Sequence, residues 1–304
     1  MAVALGLTVA LAVGDGLGAA IEFTTPESFT PVPGYRRGRP YGLKADEWTD
    51  DARLALTLAY SIAPVGSDLN DQASRYVEWW KTGQYSVNGR CFDIGLTTRG
   101  ALGRFLASQD ARTSGDPSER ASGNGSIMRL APVPVGHAAL YPDNLEELLR
   151  LADESSLPTH ASEQCRSACR YLAAVLAALV RGEDRAAILS PDWKSLQVLN
   201  DIQPLHPLIQ EVAQGGFRQK QPPAIEGSGW VVKSLEAALW AFHDAGSFEG
   251  AVLRAVNLGD DADTTGAICG QAAGAFWGES NIPEPLRSGL ARREMIEAAL
   301  AGIL

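Results

Sequence analysis

The sequence predicts an all-α protein, a compact globule of many helices. Three observations carry that expectation: apolar residues recur at intervals of three and four through Ala- and Leu-rich stretches, β-branched runs with strict alternation are almost absent, and Gly, Pro and polar residues gather into a few loops. Taken in order, a continuous apolar run opens a helix over about 2–21. Trp48-Thr49-Asp50-Asp51 leads a second over about 51–62, and apolar recurrence supports a third over about 68–82. Cys91-Phe92-Asp93-Ile94-Gly95 introduces about 94–108, recurrence gives about 143–154, and Thr159-His160-Ala161 opens the long run of about 160–181. Further helices are expected over about 229–244 and 248–256, over about 264–276 behind a second acidic start, and over about 290–302. Loops fill Phe23 to Trp48, Ala111 to Gly125 and Asn200 to Gly227. No shift of composition isolates a second core, so residues 1–304 are expected to form one domain.

A chain of 304 residues, 45% hydrophobic and 20% charged, is long and apolar enough to bury a substantial core, which excludes a disordered chain. With 26 Lys and Arg against 36 Asp and Glu, the net charge of -10 disfavours general binding to nucleic acid or anionic lipid. Any phosphate must be held by a local site. The apolar run from Met1 to Val13 lacks a basic leader and is interrupted by Asp15, well short of the ~20 residues of a membrane span. Cys91, Cys165, Cys169 and Cys269 are too scattered to staple the chain, and a reducing, cytoplasmic setting is expected. Cys165 and Cys169, one helical turn apart with His160 and Glu163 nearby, lack the second pair that a zinc finger needs and read as buried small hydrophobes. The sequence specifies no oligomeric state.

Two acidic helix starts carry most chemistry. Thr49-Asp50-Asp51 precedes Ala52 to Ile62, and Gly259-Asp260-Asp261-Ala262-Asp263-Thr264-Thr265 precedes Ala267 to Phe276. Either alone suits an N-cap, because Thr and Asp accept from orphan N–H groups and negative charge complements the helix dipole. The second, however, puts three carboxylates within four residues, and like charges so close repel unless a cation lies between them. If the two starts face each other, Asp50, Asp51, Asp261 and Asp263 supply four carboxylates, and Thr49 and Thr264 two hydroxyls. An all-oxygen shell without His or Cys suits Mg²⁺, Mn²⁺ or Ca²⁺ rather than Zn²⁺. Two divalent ions would balance the four charges, polarise hydroxyls and activate water.

Other segments admit two readings each. Gly14-Asp15-Gly16-Leu17-Gly18-Ala19 fits a loose dinucleotide pattern, with Arg36 and Arg37 near the distance for a 2′-phosphate, or else its small residues allow helices to approach closely. Glu22 is a carboxylate on a mobile lid or an exposed loop residue. Asp93 is a site carboxylate or an N-cap. Ser122-Gly123-Asn124-Gly125-Ser126-Ile127-Met128-Arg129 is a loop able to offer backbone N–H groups to phosphate oxygens, or an ordinary turn. His160 donates to a phosphate or sits at the surface.

In this order the segments resemble the ADP-ribosylglycohydrolase family, and most closely its dinitrogenase-reductase-activating glycohydrolase branch. The resemblance rests on Gly14 to Gly18 with Glu22, on Thr49-Asp50-Asp51, Asp93-Ile94-Gly95, Gly123 to Arg129, Thr159-His160 and Leu258 through Gly266. It implies two Mg²⁺ or Mn²⁺ ions held by Thr49, Asp50, Asp51, Asp261, Asp263 and Thr264, and hydrolysis of the bond between ribose C1″ and an acceptor, arginine being favoured. The substrate partner it implies is an ADP-ribosylated protein or a small ADP-ribose derivative. Serine-directed relatives give proton relay to the counterpart of Glu22, and the arginine-directed bacterial branch gives it to that of Asp93; both are present here. Ser122, Gly123, Asn124, Gly125, Ser126 and His160 would meet the diphosphate. Ser122 stands where some relatives carry an aromatic residue, which leaves the adenine support unassigned. Two rival readings are a non-catalytic ADP-ribose-binding or crystallin-like member of the fold, opposed by the full set of metal-ligand candidates, and an NADP-dependent oxidoreductase.

Overall fold

The computed structural model describes residues 2–38 and 40–303. Met1, the first residue of the amino-terminal apolar run, lies outside the described residues. The helices are α1 (Ala2–Gly18), α2 (Asp50–Val65), α3 (Leu69–Thr82), α4 (Leu96–Ser108), α5 (Pro132–Gly136), α6 (Leu145–Ser156), α7 (Glu163–Val180), α8 (Arg185–Ile188), α9 (Lys194–Ile202), α10 (Pro207–Ala213), α11 (Val231–Phe242), α12 (Phe248–Val256), α13 (Ala262–Trp277), α14 (Glu284–Ser288) and α15 (Arg293–Leu300). Among the described residues no strand forms beyond isolated bridges pairing Asp116 with His160 and Gly123 with Trp230. No described helix is long and apolar enough to cross a membrane.

A helix that is apolar around its whole circumference has to be buried. That rule places α1, α7 and α13 at the centre. Leu7 to Val13 of α1, Leu172 to Ala178 of α7 and Ala262 to Ala273 of α13 are almost fully enclosed, within a hydrophobic cluster that runs from Leu7 to Leu300. Where α1 crosses α13 the backbones touch. A Cβ on Gly14 would lie 2.1 Å from the carbonyl oxygen of Gly266, and one on Gly18 would lie 2.3 Å from the Cα of Asp263. The glycine run is therefore a helix-packing seam. This corrects the dinucleotide reading, which needs a strand-to-helix turn and here meets the interior of a helix.

All ten expected helices form, with shifted ends. Residues 160–162 stay outside α7, whose N-cap is Ser162, its hydroxyl accepting from the Cys165 N–H. His160 is thus a buried turn residue, 2% exposed, rather than a surface one. The stretch from Asn200 to Gly227 contains α10, which the expectation of a loop missed; Pro207 at its first turn and the His206 imidazole accepting from the Leu208 N–H were its start signals. Asp153 of α6 accepts from Arg166 and Arg170 of α7, clamping the turn between them that carries Thr159 and His160. Cys165, Cys169 and Cys269 are buried and free, and the Cys165 thiol donates to the Gly123 carbonyl.

Candidate functional site

Both acidic starts turn their side chains away from ordinary capping. Thr49 at the N-cap of α2 and Asp261 at the N-cap of α13 make no side-chain cap bond. At α2 the orphan N–H groups are satisfied from elsewhere: Asp15 of α1 accepts from Thr49 N–H at 2.7 Å and from Ala52 N–H at 2.9 Å. Thr49 Oγ1 is left 3.2 Å from Asp51 Oδ2 and 3.2 Å from Asp263 Oδ2, so the two starts, far apart in sequence, meet through one hydroxyl. Oxygens of Asp15, Asp51 and Asp263 lie within 4.8 Å of one another, as do oxygens of Glu22, Asp261 and Asp263.

Glu22 reaches this cluster because its turn is tied to the second acidic start. Phe23 N–H donates to Asp260 O at 2.7 Å and Asp260 N–H to Thr24 O at 2.8 Å. Phe23 and Asp260 adopt left-handed backbone at φ 58° and 49°, strain of the kind found at functional sites. Asp93 is also left-handed at φ 59°, and Gly95, not Asp93, occupies the N-cap of α4. Two neighbours fix it. Tyr41 Oη donates to Asp93 Oδ1 at 2.6 Å, and the buried Arg53 guanidinium, stacked 4.6 Å from the rings of Trp79 and Phe92, donates to the Phe92 carbonyl.

Without a cation the cluster is crowded. Burial, then the charges of Asp93, Asp261 and Asp51, push Glu22 up to about 10. Burial also raises Asp50, Asp51 and Asp263 well above the usual carboxylate range, with neighbouring carboxylates adding to it. Asp93 is raised by burial and held back by the Tyr41 hydrogen bond and the Arg53 charge. Buried oxygens of Glu22, Asp51 and Asp93 have no hydrogen-bond partner. Orphaned carboxylate oxygens in an all-oxygen cluster fit divalent Mg²⁺ or Mn²⁺.

The glycine-rich loop closes one side. Asn124 donates to Asp261 Oδ2 at 2.5 Å and to Ser234 Oγ at 2.9 Å, while its N–H donates to Gly229 O. Gly123 and Gly125 lie against His160; a Cβ on Gly125 would fall 2.6 Å from the imidazole Cε1. Arg129 supports the loop from beneath, donating to Gly125 O and Thr159 Oγ1, both at 2.6 Å. Burial and the Arg129 charge lower His160 to about 3, so the ring is neutral. Ser122 is hydrogen-bonded to Ser162 and Ser126 is buried; neither lines the cleft. Trp230, 37% exposed beside Gly229 with its indole N–H fixed on Gln164, is an aromatic surface that no sequence signal singled out.

The cleft encloses about 250 Å³ and opens to solvent, lined by the acidic residues Glu22, Asp50, Asp93, Asp261 and Asp263 with Thr264, and by Gly123, Asn124, Gly125 and His160. Thr49 and Asp51 are buried beneath it. A larger depression of about 790 Å³ holds Arg36 and Arg37 but no carboxylate, so the acid chemistry belongs to the smaller cleft.

Comparison with known proteins agrees with this geometry. The ADP-ribosylglycohydrolase family model matches residues 2–304. ADP-ribosylarginine hydrolase Tri1 of Serratia proteamaculans (strain 568) is 36% identical over 294 residues, 96% of this chain and 76% of the relative. The ADP-ribosyl-[dinitrogen reductase] glycohydrolase of Rhodospirillum rubrum is 29% identical over 285 residues, covering 92% and 87%. A solved structure described as an ADP-ribosylglycohydrolase-related protein complex superposes with a TM-score of 0.85 at 37% identity, covering 99% of this chain and 96% of that one.

Proposed function

Because the chain belongs to the ADP-ribosylglycohydrolase family, we propose that it hydrolyses the glycosidic bond between ribose C1″ of ADP-ribose and an arginine side chain of a modified protein, with two Mg²⁺ or Mn²⁺ ions in the cleft. The observation that carries the proposal is the Thr49 hydroxyl, 3.2 Å from carboxylates of both helix starts, since ionised carboxylates so arranged repel unless a divalent cation takes the place of their protons. Thr49, Asp50, Asp51, Asp261, Asp263 and Thr264 would hold the ions, which when bound supply charge neutralisation and Lewis-acid polarisation of ribose hydroxyls.

The remaining steps belong to side chains. Gly123 and Gly125, lacking Cβ atoms, let the neutral His160 ring pack against a loop whose backbone N–H groups are offered to a diphosphate, and Trp230, next to the cleft-lining Gly229, offers a face for adenine. Glu22 and Asp93 stand on the acceptor side, where one carboxylate takes a proton from the attacking water and the pair passes a proton to the leaving nitrogen. Arginine is favoured by charge. Once ions displace their protons, Asp15, Glu22, Asp50, Asp51, Asp93, Asp261 and Asp263 outweigh two divalent ions together with the buried Arg53 and Arg129, so a guanidinium acceptor meets surplus negative charge. A cytoplasmic setting is part of the same proposal and fits the free cysteines.

Arginine-linked and serine-linked ADP-ribosyl peptides, assayed with Mn²⁺ and with chelator, test it. Release from the arginine-linked peptide, lost on chelation and in Asp263→Ala with helix content intact, is expected. Release from serine alone would overturn the acceptor assignment, and full activity in chelator would remove the metal reading.

A further inference from the structure

We infer that Asp15 is a positioning residue, capping α2 from a different helix and so freeing Thr49, Asp50 and Asp51 to face the acidic start of α13, rather than an additional ligand for the ions. This rests on the metal reading above. An α-helix leaves its first N–H groups without partners, and a Thr at the N-cap is the ordinary local remedy. Here the Thr49 hydroxyl points to Asp51 and Asp263, and the N–H groups of Thr49 and Ala52 are bonded one to each oxygen of Asp15.

Proximity alone would make Asp15 a ligand, since its oxygens come within 4.8 Å of those of Asp51 and Asp263. Its hydrogen bonds argue otherwise. Each oxygen already accepts from a buried N–H group along one of its lone pairs, so turning the carboxylate to ligate an ion would bend or break one of those bonds. Asp51 and Glu22, by contrast, have buried oxygens with no partner at all. Position is fixed as well: Gly14 and Gly18, on either side of Asp15 along α1, rest on the backbone of Gly266 and Asp263. A single turn of α1 therefore touches both acidic starts, and Asp15 sets how far the α2 carboxylates stand from those of α13. Its negative charge also complements the α2 dipole.

Calorimetric titration with Mn²⁺ separates a positioning residue from a ligand. Asp15→Asn keeps the size but faces an N–H donor with an NH₂ group. It should bind as many ions as the wild type with affinity about 10–100-fold lower, the usual effect of losing a group that orients ligands. Hydrolysis of arginine-linked peptide by this variant should recover as Mn²⁺ is raised. Loss of one whole ion with the other undisturbed would make Asp15 a ligand, and unchanged affinity would deny it any role; either overturns the inference. Residue-resolved amide exchange on the wild-type protein decides the matter even if the variant does not fold. The Thr49 and Ala52 amides should be protected both in chelator and with Mn²⁺, and loss of that protection on loading would overturn the inference. Wild-type protein that binds no Mn²⁺ would defeat the proposed function, while protected amides would still uphold the cap.

Discussion

In the proposed reaction Asp93 and Glu22 would divide one task between two carboxylates in unlike surroundings. Asp93 is stabilised by the Tyr41 hydroxyl and lies near Arg53, whereas Glu22 is pushed up to about 10 by burial and by its acidic neighbours. Groups whose environments drive their proton affinities apart are suited to opposite halves of an acid–base pair. Glu22→Gln and Asp93→Asn should each lower kcat on arginine-linked peptide by about 10²–10⁴-fold and leave ADP-ribose affinity nearly unchanged. Equal turnover by both variants and the wild type would show that neither carboxylate moves a proton. At this scale the sequence was most legible where chemistry is dense: the clustered carboxylates of Asp261 and Asp263 exceed what a cap requires, and Asp263 does meet Thr49. Tyr41, Arg53 and Trp230 were not legible, because each acts through a neighbour that only the folded chain supplies, as with Tyr41 on Asp93.

Helices were legible from periodicity, and their roles were not. The Gly14-to-Gly18 run carries the same letters whether it cradles a phosphate or packs against another helix, and only the contact with Gly266 decides between them. Gly14→Ala forces a methyl group into a carbonyl oxygen and should destabilise by about 1–3 kcal/mol or more, weakening Mn²⁺ binding because the two acidic starts are driven apart. Gly103→Ala is the control. Its Cβ would meet nothing within 4 Å in the middle of α4, so helix propensity should stabilise that variant by up to about 1 kcal/mol. Denaturant melts of the two variants, compared with wild type, check the pair; a neutral Gly14→Ala would mean that the seam is looser than the contacts state. The α6–α7 clamp is a second test of this scale. Asp153→Ala leaves the buried Arg170 with only the more exposed Glu163 carboxylate and should cost about 1–3 kcal/mol in the same melts.

For the molecule as a whole, the acidic cleft sets stability against pH and against metal in opposite directions. Asp50, Asp51 and Asp263 are raised well above their unfolded values by burial, Asp15 to about 6 and Glu22 to about 10. A carboxyl raised on folding binds more protons folded than unfolded, so its contribution falls as pH rises from the unfolded value near 4 through the folded one. His160 has the reverse sign: lowered to about 3, it favours the folded state above 6.5 and loses that favour as pH falls. The two oppose each other below 6.5; above it the carboxylates act unopposed by His160, and toward pH 9 the buried Cys165, Cys169 and Cys269 thiols, raised by burial, add to them with the same sign. In chelator the melting temperature should therefore decline from pH 6.5 to about pH 9. Ions compete with the protons these carboxyls hold, so Mn²⁺ should release protons on binding and bind more tightly as pH rises. Its stabilisation, which grows as RT ln(1 + [L]/Kd), should then widen over the same interval in which the metal-free protein weakens. Thermal melts at several pH values, with chelator and with millimolar Mn²⁺, measure both trends. A metal-free curve that stays level above pH 6.5, or a gap that narrows with pH, would mean that the carboxylates are not crowded as the cleft geometry requires.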